Sequence, residues 1–105
     1  MPLKRLKEKT TRENLWLYIL SLLNKGPLYA YEIRDKIQRE FGFTIGNMTA
    51  YMVLYKLNMG GYVKDEWVHQ TGRPRRYYTI TAKGKKQFDE GITYLKELPA
   101  KLLGK

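Results

Sequence analysis

Two stretches of period-two patterning, separated by a short turn, constrain the fold of this chain more than any other feature. In residues 62–69 and 75–80, alternate side chains fall on opposite faces: Val63, Asp65, Trp67 and His69 share one face of the first stretch, and Arg76, Tyr78 and Ile80 share one face of the second. The turn, residues 71–74, reads Thr-Gly-Arg-Pro and contains residue types that reverse the chain. The sequence therefore predicts a two-stranded β-hairpin.

Three helices are predicted before the hairpin, because apolar residues recur there at helical spacing between glycine or proline breaks. The first runs over Thr10–Asn24, with Thr10 and Glu13 as a capping box. The second runs over Ala30–Phe41 and the third over Asn47–Met59. Three helices followed by a hairpin is the order of a winged helix-turn-helix. We therefore predict a mainly α fold with a small β-hairpin that forms a two-stranded wing.

A final helix is predicted to begin at Thr81 and to end or kink at Pro99. Its stripe of Phe88, Ile92 and Leu95 has little of its own domain to cover it. Burial against a second copy would remove this apolar surface from water, so we expect a homodimer. The predicted parts are a basic N-terminal arm (1–9), a winged-helix DNA-binding domain (10–81) and a C-terminal dimerisation helix with a tail (82–105).

The charge of the chain favours a polyanionic partner. Lysine and arginine number 20 against 10 acidic residues, so the formal net charge is +10 over 105 residues. Such an excess on one small domain suits nucleic acid or an acidic membrane surface, although a generally basic soluble surface is the alternative. The apolar run 15–23 is too short to span a bilayer, so we expect no membrane partner, and the absence of cysteine fits a cytoplasmic protein.

Catalytic and metal-binding functions find little support in the sequence. The chain has no cysteine and one histidine, His69, which argues against thiolate chemistry, disulfides, zinc sites and a serine–histidine pair. The carboxylate pairs Asp65-Glu66 and Asp89-Glu90 are adjacent in sequence and so diverge on a strand or helix. We predict neither enzymatic activity nor a metal or cofactor.

The third predicted helix has one side suited to reading DNA. A helical wheel points Ala50, Leu54 and Leu57 toward the core and leaves the opposite side free. In a helix-turn-helix this helix lies in the major groove, where asparagine can pair with adenine and methionine can pack on thymine methyl groups. The methionines could instead fill core gaps or meet another protein. The predicted DNA-contacting residues of this helix are Asn47, Met48, Thr49, Tyr51, Met52, Tyr55 and Lys56.

The hairpin carries Arg73, Arg75 and Arg76 at and behind its turn. Arginine presents a planar fork that suits phosphate, and a narrow minor groove attracts it. A run of charged residues often only forms a solvent-exposed face without a binding role. At a turn that contains glycine and proline, however, the side chains point outward and can reach a partner. We therefore interpret the three arginines as DNA contacts of the wing.

Three ordered motifs resemble the PadR-like family of transcriptional regulators. Residues 72–84, GRPRRYYTITAKG, are close to the family pattern GRPRKYY-x-LT-x-KG. Residues 26–33, GPLYAYEI, are similar to GPLHGYEI, and residues 51–63 carry the Tyr-x-x-Leu-x-x-Leu helix that leads to Gly-Tyr-Val. The resemblance extends from about Leu15 to Leu95.

The resemblance implies a dimeric repressor that binds DNA through a winged helix and dimerises through the last helix with help from the first. Leu15 and Trp16 therefore join the dimer candidates, and Tyr31 of the second motif joins the DNA-binding candidates. Some family members bind aromatic or drug-like effectors between subunits, so the resemblance also implies a small aromatic effector of unknown identity.

The resulting hypothesis is a sequence-specific DNA-binding regulator, a dimeric repressor on a pseudo-palindromic operator. Two alternatives stay open. One is a sequence-tolerant, chromatin-like DNA-binding protein, because the third helix has few hydrogen-bond donors. The other is a winged-helix protein-interaction module that uses the methionine-rich face of that helix.

Overall fold

The computed structural model describes residues 1–70 and 72–105, with the backbone alone at Gln70. The chain is mainly helical with a small antiparallel sheet, as predicted. The predicted turn Thr71-Gly72-Arg73-Pro74 includes Thr71, which lies outside the described residues. The helices are α1 (Pro2–Lys9), α2 (Leu15–Leu23), α3 (Ala30–Lys36), α4 (Asn47–Met59) and α5 (Ala82–Leu103), and the strands are β1 (Leu28–Tyr29), β2 (Val63–Gln70) and β3 (Arg73–Ile80).

The core forms around α2, which is apolar on nearly every side. A helix of this composition must be covered by neighbours, and α3, α4, β3 and α5 all pack against it. A π-helical turn, Ile37–Phe41, continues α3 and ends at Gly42 in the left-handed conformation. The residues buried in the core include Ile19, Leu20, Ile33, Ile37, Ala50, Leu54, Val63 and Tyr78.

The bounds of α4 agree with the prediction, and a Schellman motif ends this helix. Gly61 has a φ of 80°, its N–H donates to the Asn58 carbonyl at 3.0 Å, and the Tyr62 N–H donates to the Leu57 carbonyl at 2.9 Å. A glycine is needed at position 61 because a side chain there would strain the left-handed backbone. The chain then enters β2 directly.

The sheet has three strands, so the prediction of a two-stranded wing is incomplete. The short strand β1 pairs antiparallel with β3, with Leu28 opposite Tyr78 and Tyr29 opposite Tyr77. The strand order is β1-β3-β2. Two residues are too few to show a period, so the sequence pattern alone could not reveal this strand.

The predicted start of the first core helix is wrong. The basic residues 2–9 form a separate helix, α1, and α2 begins at Leu15 rather than at Thr10. The expected capping box does not form, because the Thr10 hydroxyl donates back to the Leu6 carbonyl at 2.8 Å and Glu13 pairs with Lys9 at 2.7 Å. Both contacts stabilise the C-terminal end of α1 instead.

Helix α5 begins as predicted, with the Thr81 hydroxyl accepting a hydrogen bond from the Gly84 N–H at 3.0 Å. It does not end at Pro99 but continues to Leu103. A proline in a helix removes one hydrogen bond to the carbonyl four residues earlier. The end of α5 is exposed, so water can solvate that carbonyl.

The first turn of α5 lies against the end of α4 so closely that only glycine fits at position 84. A Cβ atom on Gly84 would lie 2.1 Å from the Tyr62 carbonyl oxygen and 2.8 Å from Ile80. The oxygen belongs to the backbone, so relief of the overlap requires movement of a whole element.

We expect Gly84→Ala to destabilise the protein by about 1–3 kcal/mol, the usual cost of overpacking a filled site. Urea unfolding followed by far-UV circular dichroism measures the loss. Lys85→Ala, at the next and exposed position, serves as the control and is expected to be near neutral. Equal stabilities of the two variants would contradict the tight contact.

Candidate nucleic-acid interface

The turn between α3 and α4 is held rigidly, and this turn sets the direction of α4. Phe43 and Ile45 are buried. Two arginines from different parts of the chain donate hydrogen bonds to backbone carbonyls of this turn. The Arg12 Nε donates to the Thr44 carbonyl at 3.3 Å, and the Arg34 Nε donates to the Ile45 carbonyl at 3.2 Å. Sequence reasoning missed both arginines, because hydrogen bonds to backbone carbonyls leave no sequence signal.

Helix α4 presents the predicted face to solvent. The residues on its core side are buried, whereas Met48 is 74 % exposed, Tyr55 is 63 % exposed and Met59 is 73 % exposed. The interpretation that these methionines fill gaps in the protein's own core is therefore wrong. A contiguous apolar patch of this kind on a monomer indicates a binding surface. The predicted contact residues that are exposed on α4 are Asn47, Met48, Thr49, Tyr51, Met52, Tyr55 and Lys56.

The start of α4 can also accept an anion. Its N-cap is Gly46, which offers no side-chain hydrogen bond, and its first turn has no acidic residue. The first backbone N–H groups of a helix have no partner within the helix, and its dipole favours negative charge there. A phosphate can therefore approach this end of α4.

At the wing, Arg73 and Arg75 are exposed and lie on the outer face of the sheet. The Arg75 guanidinium lies 4.5 Å from the centre of the Tyr29 ring, which in turn packs edge-on against Tyr77 at 5.4 Å. These tyrosines support the arginine from below. Tyr31 lines the same groove as Tyr29, Arg73, Pro74 and Arg75, so the structure brings it together with two predicted wing contacts.

Arg76 differs from the other two wing arginines. It lies on the inner face, where its Nε is 2.5 Å from Oδ2 of Asp65 and its guanidinium is 5.4 Å from the centre of the Tyr78 ring. Asp65 also accepts a hydrogen bond from the Asn58 amide through Oδ1 at 3.1 Å. The sequence did not indicate this three-residue cluster, which joins α4 to both strands of the hairpin.

The cluster changes the acidity of Asp65. The hydrogen bond from Arg76 is the largest cause that holds the pKa of the Asp65 carboxyl below its usual value. The positive charge of Arg76 and the Asn58 amide lower this pKa further, and desolvation partly opposes them. The carboxylate is therefore the stable form of Asp65 at neutral pH.

The predicted dimer residues do not all lie at the surface. Leu15 is 2 % exposed and packs in the protomer's own core, so we correct its assignment. Trp16 is half-buried beside α5, where a Cβ on Gly91 would lie 3.0 Å from its ring. Phe88 and Ile92 are also half-buried, whereas Leu95 is exposed.

Further apolar residues that sequence reasoning missed extend this surface. Helix α1 buries none of its residues and exposes Leu3 and Leu6. Beyond Leu95, α5 exposes Leu102 and Leu103. The period of α1 could have revealed its apolar side, had the segment been recognised as a helix.

Other kinds of site are not seen in the described part of the chain. Within residues 1–70 and 72–105, no group of three or more histidine, cysteine or acidic side chains is placed to hold a metal ion. No helix of those same residues is long and apolar enough to cross a membrane.

The exposed face of α4, the exposed wing arginines and the small sheet define a winged-helix protein, and comparisons with known proteins agree. A model of the transcriptional regulator PadR-like family matches residues 19–90. Because this match spans well over half of the sequence, the chain belongs to the PadR-like family of transcriptional regulators. The predictions of family and fold are thereby confirmed.

Solved structures support this assignment. A PadR-like transcription factor from Bacteroides fragilis is 32 % identical, with a TM-score of 0.80 over 95 % of this chain and 97 % of that one. A transcriptional regulator from Clostridium thermocellum is 30 % identical, with a TM-score of 0.77 over 89 % and 92 %. The structure of Bacillus subtilis PadR in complex with operator DNA is 30 % identical, with a TM-score of 0.69 over 74 % of this chain and 45 % of that one. No curated protein matches the sequence.

The lowered pKa of Asp65 has a consequence for stability. A depressed folded-state pKa means that the carboxylate stabilises the fold above the pKa of the unfolded chain, and that this contribution is lost as the pH falls through the folded-state value. We expect Asp65→Asn to lower the melting temperature at pH 7 by the equivalent of up to about 1 kcal/mol, since the pair is partly exposed. The difference from the wild type should shrink below about pH 4.

Thermal unfolding across this pH range, followed by circular dichroism, measures the effect. Glu66→Gln is the matched control, because it removes the same charge from the opposite face of the same strand. A difference between wild type and Asp65→Asn that stays constant with pH would contradict the ion pair.

Proposed function

We propose that this protein is a sequence-specific DNA-binding transcriptional regulator, a dimeric repressor that binds a pseudo-palindromic operator. The observation that carries the proposal is that α4 exposes one face while the wing tip presents Arg73 and Arg75 to solvent. The similarity to Bacillus subtilis PadR bound to operator DNA supports it. A dimer seated on an operator would repress by excluding other proteins from the same DNA.

In this proposal α4 enters the major groove with its first turns nearest the bases. Asn47 would pair with adenine or with phosphate, Thr49 would donate a hydrogen bond, and Lys56 would reach guanine or phosphate. Met48 and Met52 would pack on thymine methyl groups. Tyr51 and Tyr55 extend the same exposed face.

The wing supplies contacts that do not read the base sequence but position the protein along the duplex. Arg73 and Arg75 would bind DNA phosphates or enter the minor groove. Tyr31, in the protein groove beside these arginines, would face the DNA backbone. Phosphate contacts make affinity depend on salt, because each one releases condensed cations from the DNA.

We expect the double variant Arg73→Ala/Arg75→Ala to bind DNA more weakly and with a shallower dependence of log affinity on log salt. The slope should fall by up to about 0.9 for each phosphate contact removed. Fluorescence anisotropy with a labelled duplex selected by the wild-type protein measures both quantities. Lys101→Ala/Lys105→Ala removes the same charge from the far end of the chain and is the control.

Four results would contradict the proposal or its wing contacts. An unchanged slope in the wing variant, or an equal loss in the control, would exclude the wing as a specific contact. Footprinting that shows uniform protection without a discrete site would favour a chromatin-like protein. Failure of the wild type to bind any duplex would favour a protein-interaction module.

The shape of the protomer supports a homodimer. Its radius of gyration is 15.3 Å, compared with about 13 Å for a compact domain of this length. Its accessible surface is 7686 Å², about 1,500 Å² more than the roughly 6,200 Å² expected for a 12.5 kDa monomer. A standard interface covers about 800 Å² per partner, so the excess is large enough to supply one.

The exposed apolar surfaces of α1 and the second half of α5 are the proposed interface. Phe88, Ile92 and Leu95 begin the stripe on α5, and Leu102 continues it, while Trp16 lies beside its start. A two-fold axis through these helices would present two copies of α4 to half-sites about one helical turn apart, which is why the operator is expected to be pseudo-palindromic.

We expect Leu95→Asp/Leu102→Asp to convert a dimer into a monomer at micromolar concentration, because burial of unpaired carboxylates is costly. Analytical ultracentrifugation measures the mass. The matched control, Thr93→Asp/Ala100→Asp, adds the same charges on the other side of α5 and is expected to stay dimeric. A wild-type monomer, or two variants of equal mass, would rule out this interface.

A small aromatic effector also has a place in this proposal. A cavity of about 350 Å³ lies between the start of α2 and the second half of α4, lined by Trp16, Val53, Lys56, Leu57 and Tyr62 among others. An aromatic ring could stack there on Trp16 while Lys56 neutralises an acidic group. Because Lys56 is also one of the proposed DNA contacts on α4, a ligand in this cavity would directly affect DNA binding by this helix.

A further inference from the structure

The junction between the reading helix and the wing contains a carboxylate that faces two elements at once. Asp65 lies in β2, one of its oxygens accepts from Asn58 in the last turn of α4, and the other accepts from Arg76 in β3. Its side chain is about one quarter exposed, and that of Arg76 is 40 % exposed, so the cluster is partly shielded from water.

The cluster lies where the hairpin leaves the core. Val63 and Tyr78 are buried, whereas beyond the Asp65–Tyr78 pair the described side chains of both strands are exposed or half-buried. From that pair to the Gln70–Arg73 pair, five residues extend the hairpin by about 17 Å. A rotation of about 10° at the base would therefore displace the tip by about 3 Å, as far as the length of a hydrogen bond.

We propose that Asp65 is a positioning residue for DNA recognition: it fixes the angle of the wing relative to α4, so that Arg73 and Arg75 meet the backbone while α4 occupies the groove. This inference rests on the proposed function and specifies how its two halves act together. It also assigns Arg76 to support of the wing rather than to contact with phosphate.

The charges at the wing are consistent with this division of roles. The Arg76 charge is compensated by Asp65 and its guanidinium lies over Tyr78, toward the helices. Arg73 and Arg75 lie on the opposite face, where the register places them across from Gln70 and Val68. The inner arginine is therefore directed toward α4, and the outer two toward solvent.

Positioning has a distinct signature in binding. In a specific complex, α4 and the wing must contact the same stretch of duplex simultaneously, whereas a non-specific complex lets each find phosphates independently. Loss of the cluster should therefore lower specific affinity and spare non-specific affinity. Loss of a direct phosphate contact would lower both and reduce the salt slope.

The test uses the full-length protein, a duplex that the wild type selects from a random pool, and a random-sequence duplex of equal length. We expect Asp65→Ala and Asp65→Asn to lower the ratio of specific to non-specific affinity about tenfold, comparable to one mismatched base pair. Arg76→Ala and the double variant Asp65→Ala/Arg76→Ala should show the same loss without a further decrease. None of these variants should have a shallower salt slope.

The matched control is Glu66→Ala, which removes one negative charge from the other face of β2, opposite Tyr77. It should keep the wild-type ratio. Thermal unfolding of each variant shows how much of it is folded at the assay temperature, and Asp65→Asn keeps the size of the side chain if the alanine variant does not fold.

An unchanged ratio in Asp65→Asn, or the same loss in Glu66→Ala, would overturn the inference. So would a salt slope that falls by about 0.9 in Arg76→Ala, because Arg76 would then contact phosphate. A wild-type protein that selects no duplex from the pool and does not bind the random-sequence duplex would overturn the proposed function itself, and this result differs from a wild type that binds specifically while Asp65 has no effect.

Discussion

Helix α4, the hairpin and helix α5 all meet at one backbone junction, Gly60-Gly61-Tyr62. The Gly60 carbonyl accepts from the Lys83 ammonium at 2.7 Å, the Gly61 carbonyl accepts from the Thr81 hydroxyl at 2.6 Å, and the Tyr62 carbonyl accepts from the Thr81 N–H at 3.1 Å. The end of α4 is thus bound directly to the start of α5. Movement of either helix must disturb hydrogen bonds of the other, so the directions of α4 and α5 are physically linked.

The same junction explains why charge by itself does not identify function in this protein. Arg76 was predicted to contact DNA, and Lys83 is a further cation shortly after it in the chain, yet Lys83 binds a backbone carbonyl and lies over the Tyr62 ring at 4.7 Å. Arg76 pairs with Asp65. Both cations stabilise the frame of the wing, and the exposed charge at its tip comes from Arg73 and Arg75. Positive residues that are neighbours in sequence therefore serve different purposes, because a strand directs successive side chains to opposite faces.

Prediction from sequence succeeded where a strong local period or a glycine specified the backbone. The bounds of α4, its buried residues Ala50, Leu54 and Leu57, and the cap at Thr81 follow from such local signals. It failed where the outcome depended on a distant partner. Thr10 and Glu13 matched a capping box, but they face the preceding helix α1, which supplies other partners. Leu15 was predicted to lie in the dimer interface, but its side chain packs inward.

By itself, the sequence determined the order of helices α2 to α5 and of the hairpin between α4 and α5, the family and the large positive charge, because these depend on residue types at fixed spacings along the chain. Only the tertiary structure decided which side chains remain free to bind. Three contacts join residues that are distant in sequence. Strand β1 pairs with β3, Arg12 and Arg34 donate hydrogen bonds to the turn before α4, and Asp65 accepts a hydrogen bond from Arg76. Such contacts arise from the way the packed helices bring backbone carbonyls and charges together, and a pattern along one dimension does not record them.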